Sequence, residues 1–191
     1  MFERLKESLY EHVELTDEEW ELCKNRFRPK RMLKRQFLLQ EGDICRDLAF
    51  VEKGALYSYS VDTKGNQHVI RFAFDGWWMA NLESFFTNTP TRLNIEVLES
   101  SELLILDKTN HEKLLEEIPA YERYHRLIIQ NAYVALQQRV ENALGLTAEE
   151  KYARLIEQSP EFINRVPLNL VASYLGVSPE TLSRVRANFS R

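Results

Sequence analysis

The stretch from Pro167 to Phe189 constrains the fold of this 191-residue chain more than any other part of it. Its first half places apolar residues at the 3.6-residue period of a helix that buries one face. These residues are Leu168, Val171, Ala172 and Leu175. Gly176 follows them, and a glycine readily adopts the positive φ that ends a helix and begins a sharp turn. The pattern predicts a short helix that ends at Gly176.

A second helix is predicted directly after this turn. Ser178 is a favourable N-cap, and Pro179 fits the first turn of a helix, where a missing N–H costs no hydrogen bond. The apolar face continues through Leu182, Val185 and Phe189. Two short helices joined by a glycine are typical of a helix-turn-helix, whose second helix docks in the DNA major groove. Many all-helical domains also contain such pairs, so spacing alone leaves both interpretations open.

The residues opposite the apolar face favour DNA binding. Glu180, Ser183 and Arg184 fall on that side of the second helix, and all three are residue types that hydrogen-bond base edges. Residues 164–191 contain four arginines (Arg165, Arg184, Arg186 and Arg191) and one glutamate, a balance of +3. Because the whole chain has a net charge of −4, residues 1–163 hold −7. This asymmetry is typical of a DNA-contacting segment attached to an acidic body.

The segment S-P-E-T-L-S-R-V, residues 178–185, resembles the recognition helix of the Crp/Fnr family of bacterial transcription regulators. A Ser/Thr-x-Glu-Thr-x-x-Arg pattern is characteristic of that helix, and the outward triplet here is most similar to the Fnr branch. Pro179 stands where the cyclic-AMP branch often has an arginine, so that contact is absent. The resemblance implies a set of DNA-binding residues: Ser178, Glu180, Thr181, Ser183, Arg184 and Arg186.

From Met32 onward the pattern changes to short strands. Four glycines recur at intervals of 12, 11 and 11 residues (Gly42, Gly54, Gly65 and Gly76), with runs rich in β-branched and aromatic residues between them. Such spacing predicts strands joined by turns, as in a β-roll or jelly roll. D-T-K-G-N, residues 62–66, is predicted to be a hairpin loop, and N-L-E-S-F-F, residues 81–86, a short helix. A roll interrupted by one short helix resembles the cyclic-nucleotide-binding domain of the Crp/Fnr family.

The resemblance implies an effector pocket at this short helix, but the binding residues differ. Asn81, in M-A-N-L, replaces the glutamate of the family's F-G-E-L motif, which binds the ribose hydroxyl. The segment T-R-L-N, residues 91–94, replaces the Arg-Ser pair that neutralises the cyclic phosphate. The candidate pocket residues are Asn81, Leu82, Arg92 and Asn94. Arg92 could still meet an anion, and a solvated loop arginine is the alternative. We expect a small effector of unknown identity, and no cyclic AMP bound in the usual way.

Three Thr-x-x-Glu pairs predict helix N-termini of the capping-box type. They are Thr16 with Glu19, Thr109 with Glu112, and Thr147 with Glu150. The first pair begins a helix that is closed by Pro29. Its predicted buried stripe is Trp20, Leu22, Cys23 and Phe27.

A long helix is predicted from Tyr121 to Leu144, a range without glycine or proline. One of its faces is too polar at the C-terminal end for a simple core helix: Tyr124, Leu127 or Ile128, Asn131, Val134 or Ala135, and Gln138. A partner helix explains this face, and in the Crp/Fnr family the element pairs with its twin across a two-fold axis. The resemblance thus implies a homodimer that binds two palindromic half-sites. A helix packed on the roll is the alternative.

Gly145 ends the long helix and suggests a domain boundary. We expect a sensor domain at residues 1–144, with the dimer helix at about 109–144, and a helix-turn-helix domain at residues 145–191. The segment S-P-E-F-I-N-R-V-P, residues 159–167, has two prolines and short β-prone pieces. It is predicted to form a small wing hairpin before the helix-turn-helix.

Other residue patterns argue against an enzyme, a membrane protein or a secreted protein. No apolar run approaches the roughly 18 residues of a membrane span, and the charged N-terminus is unlike a signal peptide, so the expected location is cytoplasmic. Cys23 and Cys45 are too few for a disulfide framework or a four-thiolate site. The four histidines fall on different predicted elements, and only His68 lies on a strand. Cupin enzymes need clustered ligands, so no catalytic residue, metal ligand or cofactor is assigned.

The sequence therefore predicts an α+β protein with an N-terminal jelly-roll-like β-roll, a long dimerisation helix and a C-terminal winged helix-turn-helix. We interpret it as a homodimeric bacterial transcription regulator of palindromic duplex DNA, with RNA polymerase as a further partner and no membrane association. A ligand sensor or scaffold that does not bind DNA is the second hypothesis, and a cupin-like enzyme the third. Salt-dependent retention on duplex DNA separates the first two, and bound metal would indicate the third.

Overall fold

The computed structural model describes residues 1–189, apart from the side chains of residues 161 and 163. The helices in these residues are α1 (Glu3–Tyr10), α2 (Asp17–Arg26), α3 (Leu82–Thr87), α4 (Lys108–Glu117), α5 (Pro119–Gly145), α6 (Ala148–Gln158), α7 (Glu161–Arg165), α8 (Leu168–Leu175) and α9 (Pro179–Phe189). The strands are β1 (Arg28–Met32), β2 (Phe37–Leu39), β3 (Asp47–Val61), β4 (Gln67–Ala73), β5 (Trp78–Met79) and β6 (Asn94–Asp107).

The strands form one sheet in the order β1-β6-β3-β4, with β2 paired to β6 and β5 paired to β3. Strand β6 pairs antiparallel with β3, so that Leu48 lies opposite Leu106 and Phe50 opposite Leu104. These four residues are buried, as expected where a strand face packs into a core. The chain divides into two compact units, one formed by residues 1–60 and 71–130 and the other by residues 61–70 and 131–191.

In the first unit, the N-terminal helices pack on the core of the sheet. The buried carboxylate of Glu52 accepts hydrogen bonds from the backbone N–H groups of Phe2, Arg4 and Leu5, and so caps the N-terminus of α1. The capping box of Thr16 with Glu19 is confirmed at the start of α2.

The predicted stripe of α2 is correct at Trp20, Cys23 and Phe27, which are buried, and wrong at Leu22, which is 36% exposed. Pro29 lies inside β1, after the helix has ended at Arg26. Burial raises the pKa of the Cys23 thiol to about 12, consistent with a small core residue rather than a reactive thiol.

The strand boundaries correct one sequence expectation. Gly54 does not separate two strands but lies within the continuous 15-residue β3, where the pairing with β6 shifts register. Its φ is +114°, and an added Cβ would lie 2.7 Å from the Cα of Ser101, so the close approach of β6 requires glycine. The predicted hairpin loop at residues 62–66 is confirmed, with Asp62 Oδ1 accepting hydrogen bonds from the N–H groups of Lys64 and Asn66.

The predicted start of the next helix is wrong by two residues. Asp107 rather than Thr109 is the N-cap of α4, because its Oδ1 accepts a hydrogen bond from the N–H of Asn110 at 2.9 Å. The long helix is confirmed as α5, which ends at Gly145 as expected. The capping box of Thr147 with Glu150 is confirmed at the start of α6.

The predicted partner face of α5 is wrong at Tyr124, which is buried, whereas Val134 on the same face is 51% exposed. Tyr124 is buried in the first unit, where its hydroxyl contacts Ser8 and the Nε1 of Trp78, and Ile128 packs against the core. Further along α5, exposed side chains form what we call the α5 stripe: Tyr133, Leu136, Val140 and Leu144. Their spacing of three, four and four residues places them on one face of the helix.

The second unit contains a small helical core. Its buried residues come from α6 to α9: Tyr152, Leu155, Phe162, Val166, Leu170, Val171, Ala172, Leu182 and Val185. The predicted wing hairpin at residues 159–167 is wrong, because residues 161–165 form α7 and the described residues after Asp107 contain no strand. Pro160 has a φ of −61°, which suits the start of a helix, and it is the N-cap residue of α7.

Candidate nucleic-acid interface and effector pocket

The turn between α8 and α9 has the geometry of a helix-turn-helix. Gly176 adopts the left-handed conformation with φ of +69°, and its N–H and that of Val177 bond to the carbonyls of Ser173 and Ala172. Ala172 is fully buried, so its small side chain allows close packing within the pair. The left-handed turn therefore favours glycine at position 176, and the buried position of Ala172 suits a small residue.

The N-terminus of α9 is capped as the sequence predicts. Ser178 Oγ accepts a hydrogen bond from the N–H of Thr181 at 3.1 Å, and Arg184 Nη2 donates to Thr181 Oγ1 at 3.4 Å. Hydrogen bonds from its own backbone N–H and from Ser178 lower the pKa of Glu180, which keeps this exposed carboxylate ionised as an acceptor. The first two turns of α9 thus hold both an acceptor and a forked donor.

The two faces of α9 differ sharply. Leu182 and Val185 are buried, whereas Glu180, Ser183 and Arg184 are exposed. The structure places all six candidate DNA-binding residues on α9 or at its N-cap, with Ser178 and Arg186 also exposed. Phe189 is half exposed rather than buried, and its ring meets that of Tyr152 edge to face at 5.4 Å. Arg191 lies outside the described residues.

The candidate effector pocket lies at the N-terminus of α3, where Asn81 serves the fold. Asn81 Oδ1 accepts a hydrogen bond from the N–H of Ser84 and so caps the helix, while Asn81 Nδ2 donates to Thr91 Oγ1 at 2.9 Å. Asn81 and Thr91 are both buried. Thr91 is held in turn by backbone hydrogen bonds with Gly42 and Asp43. The polar atoms of the Asn81 side chain therefore already have protein partners.

The other candidates are less tightly held. Leu82 is half buried against the core, Arg92 is exposed, and Asn94 Oδ1 accepts a hydrogen bond from the N–H of Glu41 at 3.1 Å. Sequence reasoning missed the role of Thr91, although it occupies the segment that replaces the Arg-Ser pair. The available signal was that one segment has a neutral asparagine in place of the glutamate and the other begins with a short polar residue.

Sequence reasoning also missed a pair of histidines. His111 on α4 and His125 on α5 have ring centroids 4.4 Å apart, and His111 Nδ1 lies 3.3 Å from the hydroxyl of Tyr121. Burial, and secondarily the neighbouring His125, lower the pKa of His111 to about 4. The side chains described in the structure form no group of three or more metal-binding residues, so this pair is not extended into a metal centre.

Comparisons with known proteins agree with this architecture. Residues 29–118 match the family model of the cyclic nucleotide-binding domain. The transcriptional activator protein Anr of Pseudomonas aeruginosa is 24% identical over 175 residues, which cover 86% of this chain and 71% of Anr. Within residues 1–189, no helix has both the length and the apolar character needed to cross a membrane.

Solved structures share the fold at low identity. The global regulator CLP of Xanthomonas campestris, described as responsive to c-di-GMP, has a TM-score of 0.71 and 15% identity, with 92% of each chain covered. A regulator from Eubacterium rectale, assigned to the Crp/Fnr family, has a TM-score of 0.67 and 14% identity, with 92% of this chain and 84% of that chain covered.

Residues 29–118 thus match a cyclic nucleotide-binding domain, and most of the chain is similar to a transcriptional activator and to solved regulators. The chain is similar in sequence to the activator Anr and shares its fold with a regulator that is assigned to the Crp/Fnr family.

Proposed function

We propose that this chain binds palindromic duplex DNA as a cytoplasmic homodimer and regulates transcription in response to a small effector. The observation that supports this most directly is the exposed polar face of α9, on which Glu180, Ser183 and Arg184 lie opposite a buried apolar face. A helix with this division can insert its polar side in the major groove while its apolar side stays packed. We further propose that the functional division falls at residues 144/145, where α5 ends.

The chemistry of the three side chains suits base readout. The Arg184 guanidinium can donate two hydrogen bonds to guanine O6 and N7, and the ionised Glu180 can accept from a cytosine amino group. Ser183 can reach a base or a phosphate. Pro179 can make none of these contacts, so we expect tolerance at the base pair that it faces.

Homodimerisation is supported by the α5 stripe. Its four large apolar side chains are 51–85% exposed, which is unfavourable in water unless a partner covers them. A second copy of the same helix supplies a matching face by two-fold symmetry. Such a dimer would place two α9 helices on two half-sites of a palindrome, and RNA polymerase is its proposed partner at the promoter.

The effector is proposed to differ from cyclic AMP bound in the usual way. The neutral Asn81 and Thr91 are bonded to each other, and of the four candidate pocket residues only the exposed Arg92 is charged. A buried phosphate would lack full compensation there. CLP is described as responsive to c-di-GMP, so the shared fold is compatible with an effector other than cyclic AMP.

The test is selection of bound sequences from a random duplex pool by the wild-type chain and by an Arg184→Ala variant. We expect the wild type to enrich a two-fold symmetric site and the variant to lose preference at one base pair of each half-site. Binding to the enriched site should weaken steeply with salt. A wild-type chain that enriches no sequence, and binds no duplex at low salt, would contradict the proposal and favour the sensor or scaffold hypothesis.

A further inference from the structure

Strand β4 is an edge strand of the sheet, yet its tip in the second unit does not present an open edge. Val69 is only 2% exposed, and a buried backbone group needs a hydrogen-bond partner. The N–H of Val69 donates to Ser173 Oγ on α8 at 2.9 Å, and its carbonyl accepts from Arg139 Nη2 on α5 at 3.2 Å. Two helical side chains therefore satisfy the outward groups of one strand residue.

Ser173 makes a second bond to the same strand. Its hydroxyl donates to the carbonyl of Gln67 at 2.7 Å, so one oxygen accepts from residue 69 and donates to residue 67. Residues two apart on a strand point their backbone groups to the same side. The serine hydroxyl thus takes the place that a neighbouring strand would occupy, and this pairing fixes α8 at one register on β4.

Arg139 links the same strand to the end of α8. Besides the Val69 carbonyl, its guanidinium reaches the carbonyl of Tyr174 at 3.4 Å and lies 4.2 Å from the centroid of the Tyr174 ring. Tyr174 stands two residues before Gly176, the turn that sets the direction of α9. We call Ser173, Arg139 and the backbone of residues 67–69 the edge clamp.

We propose that the edge clamp positions the recognition helix, so that Ser173 and Arg139 are positioning residues for DNA binding although neither lies on α9. The inference rests on the proposed function. With the clamp closed, Glu180, Ser183 and Arg184 remain exposed, so the clamp does not block the DNA-reading face. The clamp limits the orientations that α8, and through Gly176 also α9, can adopt. A pre-oriented helix loses less conformational freedom on binding.

The test compares Ser173→Ala, Ser173→Thr and Arg139→Met with the control Thr63→Ala, an exposed residue of the neighbouring loop. Ser173→Ala should weaken binding to the selected operator about tenfold, and Ser173→Thr, which keeps the hydroxyl, should restore it. Arg139→Met keeps the stem of the side chain but removes its donors, and should weaken binding likewise. The rank order of operator variants should not change, because no base contact is lost.

Hydrogen exchange of the Val69 amide separates positioning from mere stability. The amide should exchange faster in Ser173→Ala, because its hydrogen bond is lost. In the wild type, operator DNA should slow the exchange. If the closed clamp strengthens DNA binding, thermodynamic linkage requires that bound DNA also stabilises the closed clamp. Thermal unfolding monitors whether each variant is folded at the assay temperature.

The outcomes distinguish the two proposals. If the wild type binds its operator but folded Ser173→Ala binds equally well, or if DNA leaves the exchange of Val69 unchanged or accelerates it, the positioning role is wrong while the proposed function stands. A wild-type chain that binds no DNA selectively overturns both.

Discussion

Asn81 Nδ2 donates a hydrogen bond to Thr91 Oγ1 at 2.9 Å, and both side chains are buried at the start of α3. In the Crp/Fnr pattern that the sequence resembles, a glutamate and an Arg-Ser pair at these two segments bind the ribose and the cyclic phosphate. A neutral pair bonded to itself can stabilise the loop without a ligand. The same two segments therefore help to hold the fold together here.

The first prediction is that cyclic AMP does not bind in the micromolar range. The phosphate would enter a site whose buried side chains, Asn81 and Thr91, carry no positive charge, and an uncompensated buried anion costs several kcal/mol. Calorimetric titration of the wild-type chain should show no saturable heat. Saturable binding with a dissociation constant in the micromolar range or below would contradict this prediction.

The second prediction concerns the α5 stripe. Replacing Leu136 and Val140 together with glutamate should give monomers, because two buried like charges would face each other across the two-fold axis. Size-exclusion chromatography with light scattering measures the mass directly. Gln138→Glu adds charge at an exposed position beside the stripe and should leave the dimer intact. A wild-type monomer at micromolar concentration would contradict the proposed assembly.

The third prediction is a pH dependence of stability that arises from His111. Its pKa is about 4 in the folded protein against an ordinary value of 6.5, so the unfolded chain binds the proton more readily. Stability from this group is complete above pH 6.5, falls as the pH drops through that value, and levels off below about 4. The loss is of the order of 3 kcal/mol.

Urea unfolding at a series of pH values tests this prediction. His111→Phe keeps an aromatic ring in the same place and should make the decline between pH 6.5 and 4 shallower, the remainder coming from His125, whose pKa burial also lowers. His68→Gln changes an exposed histidine of the hairpin and should retain it. An unchanged slope in His111→Phe would show that other groups cause the decline.

Local signals were enough to predict much of this fold. The capping boxes at Thr16 and Thr147 and the turn at Gly176 depend on residues within a few positions of one another, and all three are confirmed. The prediction that Thr109 caps α4 is wrong for a local reason as well, because Asp107 offers a competing N-cap two residues earlier. The prediction that Gly54 separates two strands is wrong for a non-local reason, since the close approach of Ser101 on β6 explains why a glycine lies within β3.

The parts of the site that sequence reasoning missed depend on contacts between distant segments. Ser173 and Val69 are 104 residues apart, and the sequence around either residue gives no sign that the two are hydrogen-bonded. His111 and His125 lie on different helices, as expected, but the packing of α4 beside α5 brings their rings together. The predicted partner face of α5 includes Tyr124, but the Tyr124 hydroxyl finds hydrogen-bond partners in Ser8 and Trp78, so this residue can be buried.

The last prediction concerns base readout by α9, where Arg184 and Arg186 should behave differently. Arg184→Ala should cost roughly 1–3 kcal/mol per half-site and relax preference at one G·C pair, because the forked donors to guanine are lost. Arg184→Lys keeps the charge but not the fork and should lose the same preference with a smaller loss of overall affinity. Arg186→Ala should weaken binding to all sequences alike and reduce the salt dependence, as expected for a phosphate contact. Competition binding against single-base variants of the selected operator measures each effect. If Arg184→Ala binds every variant with the rank order and affinity of the wild type, α9 does not read the bases and the sensor or scaffold hypothesis is favoured.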